Sequence, residues 1–322
     1  MYKIKQVLKD KDLIELFKGG GVSFIYRFGG LILGYLLTLI IANLFGAKGL
    51  GDYVLAITIL RLFTLFAKLG FDTTSIRFLA AFSDQKKWSS IYYFRKQIVF
   101  ILLFTSIFAS LVMYFFAFSI AELINANYRH IQLNSFFVMP MTFFILHYQS
   151  LRGIKRIAEF SFFYRMSQVL FSIIFIVILY QFINTQDIPI YAYLLSVFVV
   201  FILSIISFRY WLKKKSSGVK SAKLEIIGYR KLFNISIPLM LAQSVQFILA
   251  WTDKLMLGAM TTSVDVGIYH TAFKLSMFAS IILMSINSIA APKFAELYAK
   301  NDIIGLKKVA QQSTKIIFLG TL

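Results

Sequence analysis

The sequence predicts an all-α integral membrane protein, a bundle of membrane-spanning helices in two lobes of which the second is incomplete. Hydrophobic residues make up 59% of the 322 residues and charged residues only 15%, too few to cover a soluble protein of this size. Long apolar stretches recur at the length that crosses about 30 Å of hydrocarbon. Lys and Arg collect between these stretches, as they do in membrane proteins. A soluble enzyme is therefore excluded.

The first apolar stretch, residues 22–45, follows a lysine-rich N-terminus and is too long for the core of a signal peptide. It has no small-x-small cleavage pattern, so we interpret it as an uncleaved first span. Seven further complete spans are predicted near residues 53–82, 97–121, 131–151, 160–183, 190–212, 231–257 and 266–291. A ninth begins near Val309, where only about 14 residues remain of the roughly 20 that a crossing needs. We therefore expect the natural protein to continue beyond Leu322.

The basic residues predict the orientation of these spans. Lys and Arg number 34 against 14 Asp and Glu. Nearly all that fall in loops lie on the side of the N-terminus, whereas the opposite side receives only Lys48 and Arg129. Cytoplasmic loops carry the excess of basic residues, so the N-terminus is predicted to be cytoplasmic. The net charge of +20 is then a topology signal, and no nucleic-acid partner is expected.

A basic loop after the sixth span divides the predicted lobes. We expect a first six-helix lobe over residues 1–212, a basic cytoplasmic linker over 213–230, and the start of a second lobe over 231–322. A shift of 216 residues aligns Gly51 with Gly267 without a gap. Because six is an even number of spans, the two copies would enter the membrane in the same direction, as parallel repeats. Completing the second lobe would take roughly 110 further residues, about four spans.

Charged residues inside the apolar stretches are the candidate functional residues. A charge at mid-bilayer costs about 2.5 kcal/mol or more, so it normally faces a water-filled path. The basic residues expected to do so are Arg27, Arg61, Lys68 and Lys274, with Lys254 as a weaker candidate. Those near predicted cytoplasmic ends, expected instead to snorkel to the interface, are Arg77, Arg165 and Lys315. The intramembrane acids are Asp72 and Asp253.

Helical spacing groups several of these residues. Arg61, Lys68 and Asp72 fall on one stripe of the second span if that span is a continuous helix. Lys68 and Asp72 can then form an ion pair, which leaves Arg61 without a counter-charge on this stripe. On the seventh span Gln243 shares a face with Asp253. The pattern predicts a basic, amide-rich path; the alternative is a set of polar residues that join helices by hydrogen bonds.

Motifs for other chemistry are missing from the sequence. The chain has no Cys and only three scattered His, without HExxH spacing, so no metal site is predicted. No GxxxxGK[ST] motif occurs, and no cofactor is expected. The predicted outer loops are too short for the folded segment that a membrane glycosyltransferase would need. We therefore expect a protein that is not an enzyme.

Two regions of the sequence resemble a known family. GGGVSFIYRFGGLILGYLLTLIIANLFGAKGLGDYVLA, followed by FAKLGFDTTSIRFLAAF, resembles the opening helices of bacterial oligosaccharide-lipid flippases. These are the O-antigen type within the multidrug/oligosaccharidyl-lipid/polysaccharide exporter superfamily. WTDKLMLG, followed by VGIYHTAFKLS, resembles the start of their second lobe.

The resemblance implies a two-lobe helical transporter of twelve to fourteen helices in the bacterial inner (cytoplasmic) membrane. Such a protein would move an undecaprenyl-pyrophosphate-linked oligosaccharide to the outer leaflet by alternating access, in contact with membrane lipids. The pyrophosphate would be held by the basic candidates Arg27, Arg61, Lys68, Lys274 and Lys254. Asp72 and Asp253 would tune neighbouring bases or couple H⁺ or Na⁺.

Two alternatives stay open at this point. A drug or cation antiporter of the same fold would be expected to place unpaired carboxylates in its cavity, whereas the excess charge here is basic. A membrane glycan enzyme is the less favoured alternative.

The charge pattern makes a prediction about topology. Because the chain has no natural Cys, single cysteines can be labelled on intact cells with a membrane-impermeant maleimide. Cysteines that replace Lys48, Asp187 and Asp265 should label from outside, and those that replace Lys87, Lys155 and Lys214 should not. The reverse pattern would contradict the predicted orientation.

Overall fold

The computed structural model describes residues 11–217, 222–299 and 302–321, which form helices and no strand. The helices are α1 Lys11–Ala67, α2 Phe71–Asp84, α3 Trp88–Phe115, α4 Ala117–Leu123, α5 Tyr128–Ser135, α6 Val138–Gly153, α7 Ile157–Phe162, α8 Gln168–Phe182, α9 Ile188–Ser216, α10 Tyr229–Met260, α11 Ser263–Ala299 and α12 Ile303–Thr321. α1 consists of two helices that meet at Gly46, where φ is 70° and ψ is −179°. A five-residue π-helix, Phe163–Ser167, joins α7 to α8. We call it the π segment.

The predicted fold class is confirmed as an all-α integral membrane protein. Within the described residues, five helical stretches are long and apolar enough to cross a membrane. They are Gly21–Ala67, Trp88–Phe115, Ile157–Phe182, Ile188–Ser216 and Tyr229–Met260. The chain divides into two compact units, Met1–Gly267 and Ile268–Leu322. The predicted lobes, linker and incomplete second lobe stay a prediction.

In the first unit, a helix such as α3 packs one face against other helices and exposes apolar side chains on the opposite faces. α3 buries Ile98 and Leu102, whereas Phe100, Phe104 and Phe108, on other faces of the same helix, are mostly exposed. Large apolar side chains that face outward suit lipid rather than water. Inside the unit, α9 packs on α6 and α8, and α10 packs on α1 and α2.

The predicted second span is not one continuous helix, which corrects the expectation for residues 53–82. α1 ends at Ala67 and α2 begins at Phe71, with Leu69 and Gly70 at positive φ of 46° and 75° between them. The cause is α10, which crosses here: a Cβ on Gly70 would lie 2.2 Å from the Ser236 carbonyl oxygen. Glycine both removes this clash and adopts the left-handed backbone. We call residues 68–70 the α1/α2 break.

Threonine hydroxyls satisfy the backbone at the α1/α2 break. Thr105 on α3 donates to the Ala67 carbonyl oxygen at 2.6 Å, and Thr74 donates to the Gly70 carbonyl oxygen at 3.0 Å. The Phe71 amide donates to the Lys68 carbonyl oxygen at 2.8 Å. A helix can therefore be interrupted inside an apolar region without leaving these groups unpaired.

Glycines also explain the π segment in the predicted fifth span. A Cβ on Gly30 of α1 would lie 2.5 Å from the Arg165 carbonyl oxygen, so the two backbones touch. Met166 packs against the neighbouring Gly29. The extra residue in the turn of a π-helix shifts the side chains that follow it around the helix axis. Tyr164 and Arg165 lie within the π segment itself, and both line cavities.

Part of the predicted linker, residues 213–230, is held against the start of α3. The amide of Glu225 donates to the Ser90 hydroxyl at 2.8 Å, and Gln97 donates to the Ile227 carbonyl oxygen at 3.2 Å. Lys87 donates to the Glu225 carboxylate at 2.5 Å, which lowers the pKa of that carboxyl. A lowered pKa means that this contact favours the folded state at neutral pH and is lost as the pH falls through that pKa.

At the opposite end of the first unit, two glycines allow backbones to touch. A Cβ on Gly51 would lie 1.6 Å from the Ser263 carbonyl oxygen, and a Cβ on Gly267 would lie 2.1 Å from the Ala47 carbonyl oxygen. The two contacts are reciprocal: the 216-residue offset that pairs Gly51 with Gly267 also pairs Ala47 with Ser263. Small residues at such positions let helices approach closely. We call these four residues the glycine contact.

The glycine contact predicts a specific loss of stability. Gly51→Ala and Gly267→Ala should each lower the Tm of the detergent-purified protein by several degrees, because overpacking costs about 1–3 kcal/mol. Gly21→Ala is the matched control: Gly21 is also helical, and a Cβ there meets nothing within 4 Å. Differential scanning fluorimetry gives the comparison. Equal Tm values for all three variants would contradict the close approach.

Candidate functional site

A cavity of about 510 Å³ lies among α1, α2, α6, the π segment, α8 and α10. We call it the central cavity. Its wall contains three of the predicted residues, Arg61, Lys68 and Asp72. The structure thus brings the predicted group of the second span together, although the helix that carries it is broken between Lys68 and Asp72.

The ion pair between Lys68 and Asp72 spans the α1/α2 break. Lys68 Nζ donates to Asp72 Oδ2 at 2.8 Å, and the Asp72 side chain is only 4% exposed. The other carboxylate oxygen accepts from Gln243 Nε2 at 3.2 Å, and that amide also donates to Thr73 Oγ1 at 2.8 Å. Asp72 therefore neutralises Lys68 and ties α2 to α10. The predicted pairing of these two residues is present.

Arg61 is the surplus charge of the central cavity. Among the described residues, no carboxylate forms an ion pair with it, and its Nε atom is buried without an acceptor. Its guanidinium carbon lies 5.0 Å from the centre of the Trp251 ring, in a cation–π contact. Lys68 and Asp72 cancel, so the ionisable residues of the described wall sum to +1. A buried donor without an acceptor costs about 1–3 kcal/mol, which an anionic ligand could recover.

Amides and aromatic rings make up much of the remaining wall. Gln149 and Gln243 each have a buried amide oxygen without a donor in the described part of the chain. Tyr148, Phe247 and Trp251 supply ring faces and edges. Amide groups bind hydroxyls and aromatic faces pack on apolar surfaces, so the wall can bind an amphipathic group beside an anion.

Lys254 and Asp253 lie behind the central cavity and are not part of its described wall. Lys254 is 2% exposed, and its Nζ lies 3.1 Å from Asp253 Oδ1 and 5.2 Å from the centre of the Trp251 ring. Lys254 is therefore buried and paired with Asp253 in this structure. Its predicted role in binding, and that of Asp253 in charge tuning or ion coupling, stay predictions.

The two other predicted residues lie elsewhere. Arg27 lines a second cavity of about 420 Å³, together with Arg152 and Arg165. Lys274 lies on α11 within the second unit, Ile268–Leu322, and its predicted binding role stays a prediction. In the described residues, no group of three or more His, Asp or Glu is placed to hold a metal ion.

Several residues of the wall were not predicted from the sequence. Gln149 and Gln168 are amides inside apolar stretches, and a search for intramembrane amides alongside charges would have found them. Trp251, Tyr148 and Tyr164 carry no such signal, because aromatic residues are abundant along the whole chain. Only their neighbours in three dimensions identify them.

Comparison with known proteins adds one finding. A family model described as polysaccharide biosynthesis protein matches residues 16–298, a range that includes both stretches of the noted resemblance. No curated protein and no solved structure matches the chain.

The Lys68–Asp72 pair predicts a pattern of stabilities. Asp72→Asn should lower the Tm, because removing one partner of a buried pair leaves a charge uncompensated at a cost of about 3 kcal/mol or more. Combining it with Lys68→Gln should recover part of the loss. Glu122→Gln, at an exposed acid of α4, is the control and should leave Tm unchanged. If the double variant is no more stable than Asp72→Asn, the pair is not the cause.

Proposed function

The chain belongs to the polysaccharide biosynthesis protein family, and on that premise we propose that it moves undecaprenyl-pyrophosphate-linked oligosaccharide across the cytoplasmic membrane. It is a multi-pass membrane protein. In our proposal the N-terminus is cytoplasmic and the cargo passes from the inner to the outer leaflet by alternating access. The observation that carries the proposal is the uncompensated Arg61 in the wall of the central cavity.

Arg61 suits a pyrophosphate better than a cation. Its planar guanidinium can donate two parallel hydrogen bonds to phosphate oxygens. Lys68 lies in the same wall and can add a point charge if it turns away from Asp72. In a site of low dielectric, attraction between these groups and an anion is stronger than in water.

A drug or cation antiporter is less well supported. The one carboxylate of the described cavity wall, Asp72, already accepts from Lys68 and Gln243. A cationic ligand would have to displace Lys68 and would also meet the charge of Arg61. A glycan enzyme is less supported for a related reason, because the described wall has no second carboxylate to complete an acid/base pair.

The Lys68–Asp72 pair suggests how transport could be coupled to an ion. When Lys68 turns to the pyrophosphate, Asp72 loses its counter-ion and keeps only the hydrogen bond from Gln243. A proton or Na⁺ could then neutralise Asp72 until the cargo leaves. The amides and aromatic rings of the wall would contact the first sugars of the cargo. They would bind it without being specific for one glycan.

Arg61→Gln should reduce export of lipid-linked glycan at least tenfold, because a charge-assisted hydrogen bond is worth about 1.5–3 kcal/mol and each 1.4 kcal/mol is tenfold. Arg61→Lys should retain part of the activity, since it keeps the charge but loses the planar fork. The measurement is surface glycan in cells that express each variant at matched protein level.

Arg77→Gln provides the matched control. It removes one positive charge from an exposed position on α2 that lies outside both described cavities, so export should be unchanged. Wild-type export by the double variant Arg61→Gln, Lys68→Gln would eliminate the basic-cavity mechanism.

A further inference from the structure

The second cavity is lined by three arginines from three different elements. Arg27 comes from α1, Arg152 from the last turn of α6, and Arg165 from the π segment. The remainder of the wall is Ser23, Phe24, Phe160, Ser161 and Tyr164. None of these lining residues is acidic, in the part of the chain that the structure describes. We call this cavity the arginine pocket.

Among the described residues, aromatic rings and not carboxylates contact two of the arginines. The guanidinium carbon of Arg152 lies 5.2 Å from the centre of the Phe160 ring, and that of Arg165 lies 4.3 Å from the centre of the Tyr164 ring. The nearby acid Glu159 is already engaged, because Arg156 donates to both of its oxygens. Stacking leaves the edges of a guanidinium, where its N–H donors lie, available to an anion.

The backbone builds the arginine pocket. Gly30 lets α1 touch the π segment at the Arg165 carbonyl oxygen. The Ser23 and Ser161 hydroxyls lie 2.9 Å apart and join α1 to α7. These contacts fix Arg165 close to the helix that carries Arg27. The glycine-dependent π turn thus concentrates positive charge at one place.

Tyr164 belongs to the walls of both cavities. Its ring packs 5.5 Å from Tyr148 of the central cavity and 5.4 Å from Phe160 of the arginine pocket, measured between ring centres. The two cavities are therefore neighbours that one side chain separates. The arginine pocket is on the side of the α6 C-terminus, the end at which the basic loops lie and which we predict to be cytoplasmic.

We propose that the arginine pocket is a second anion site, which binds the lipid-borne pyrophosphate of the cargo before it passes Tyr164 into the central cavity. The inference rests on the proposed function. Guanidinium groups match phosphate oxygens in pairs, and their position next to the basic end of the bundle fits a cargo that arrives from the cytoplasmic leaflet. An anionic phospholipid headgroup offers the same chemistry, so the test must separate the two sources.

The test counts bound ligands on the full purified chain by native mass spectrometry, with geranylgeranyl pyrophosphate as the probe. Wild type should bind two molecules. The variant Arg152→Gln, Arg165→Gln should bind one, with the second binding step weakened at least tenfold. Replacing both arginines by Lys should preserve the second step with lower affinity, which distinguishes lost charge from lost folding.

Two further variants separate this proposal from the proposed function. Arg61→Gln with Lys68→Gln should also bind one molecule, and it should lose the central site while the arginine pocket stays occupied. If a ligand is lost from the Arg61→Gln, Lys68→Gln variant alone, the second site is refuted. If a ligand is lost from the Arg152→Gln, Arg165→Gln variant alone, the proposed central site is refuted. Arg77→Gln with Arg230→Gln removes two exposed charges outside both described cavities and should bind two.

A phospholipid arm uses nanodiscs that contain phosphatidylglycerol. Phosphatidylglycerol that copurifies with wild type but not with the Arg152→Gln, Arg165→Gln variant is lipid bound in the arginine pocket. Geranylgeranyl pyrophosphate should displace this lipid from wild type. Phosphatidylglycerol that stays bound at this site in excess probe would overturn the proposal, because the arginine pocket would then hold a resident lipid instead of cargo. Two probe molecules bound to the Arg152→Gln, Arg165→Gln variant would overturn it as well.

Discussion

Inside hydrocarbon, every backbone donor and acceptor needs a partner, and the α1/α2 break interrupts the helical bonds that normally supply one. α10 crosses there so closely that only glycine fits at position 70. α10 itself carries Pro238 between Ser236 and Met240, the two residues whose backbone approaches Gly70. Thr74 and Thr105 satisfy the interrupted helices. Lys68 and Asp72, which lie at the two sides of this interruption, line the central cavity, so this part of the cavity wall depends on the break.

The electrostatics of the central cavity depend on a single residue. The chain carries a net charge of +20, but the basic residues of the described cavity wall are Arg61 and Lys68. Lys68 is cancelled by Asp72, and Asp72 is fixed by Gln243. Arg61 alone gives the described wall its sign, and Trp251 stabilises it through a ring face instead of a counter-charge. Such a site favours an anionic ligand, because its own carboxylate, Asp72, is already paired with Lys68.

The sequence could predict what depends on composition and on the cost of buried charge. Long apolar stretches predicted an all-α membrane protein, the cost of intramembrane charge selected Arg61, Lys68 and Asp72 as candidates, and helical spacing grouped them. Helical periodicity did not predict the α1/α2 break. Gly70 is a local signal for it, but the close approach of α10 at this glycine becomes visible only in three dimensions. The same limit applies to Arg165. Its place near the end of a span suggested snorkelling, and only the contact of Gly30 with the π segment reveals its arginine neighbours. Lys254 looked like its neighbours in sequence but is buried behind the cavity.

The glycine contact has a consequence for motion. Its two halves are reciprocal, with Gly51 against Ser263 and Gly267 against Ala47, so any movement that parts α1 from the first turn of α11 must break both together. In both halves the atoms that touch a glycine are backbone atoms of the other helix. Tightly packed contacts of this kind are bistable instead of continuously deformable. At this end of the first unit, α1 and the first turn of α11 should therefore be either fully packed together or fully separated, without intermediate positions.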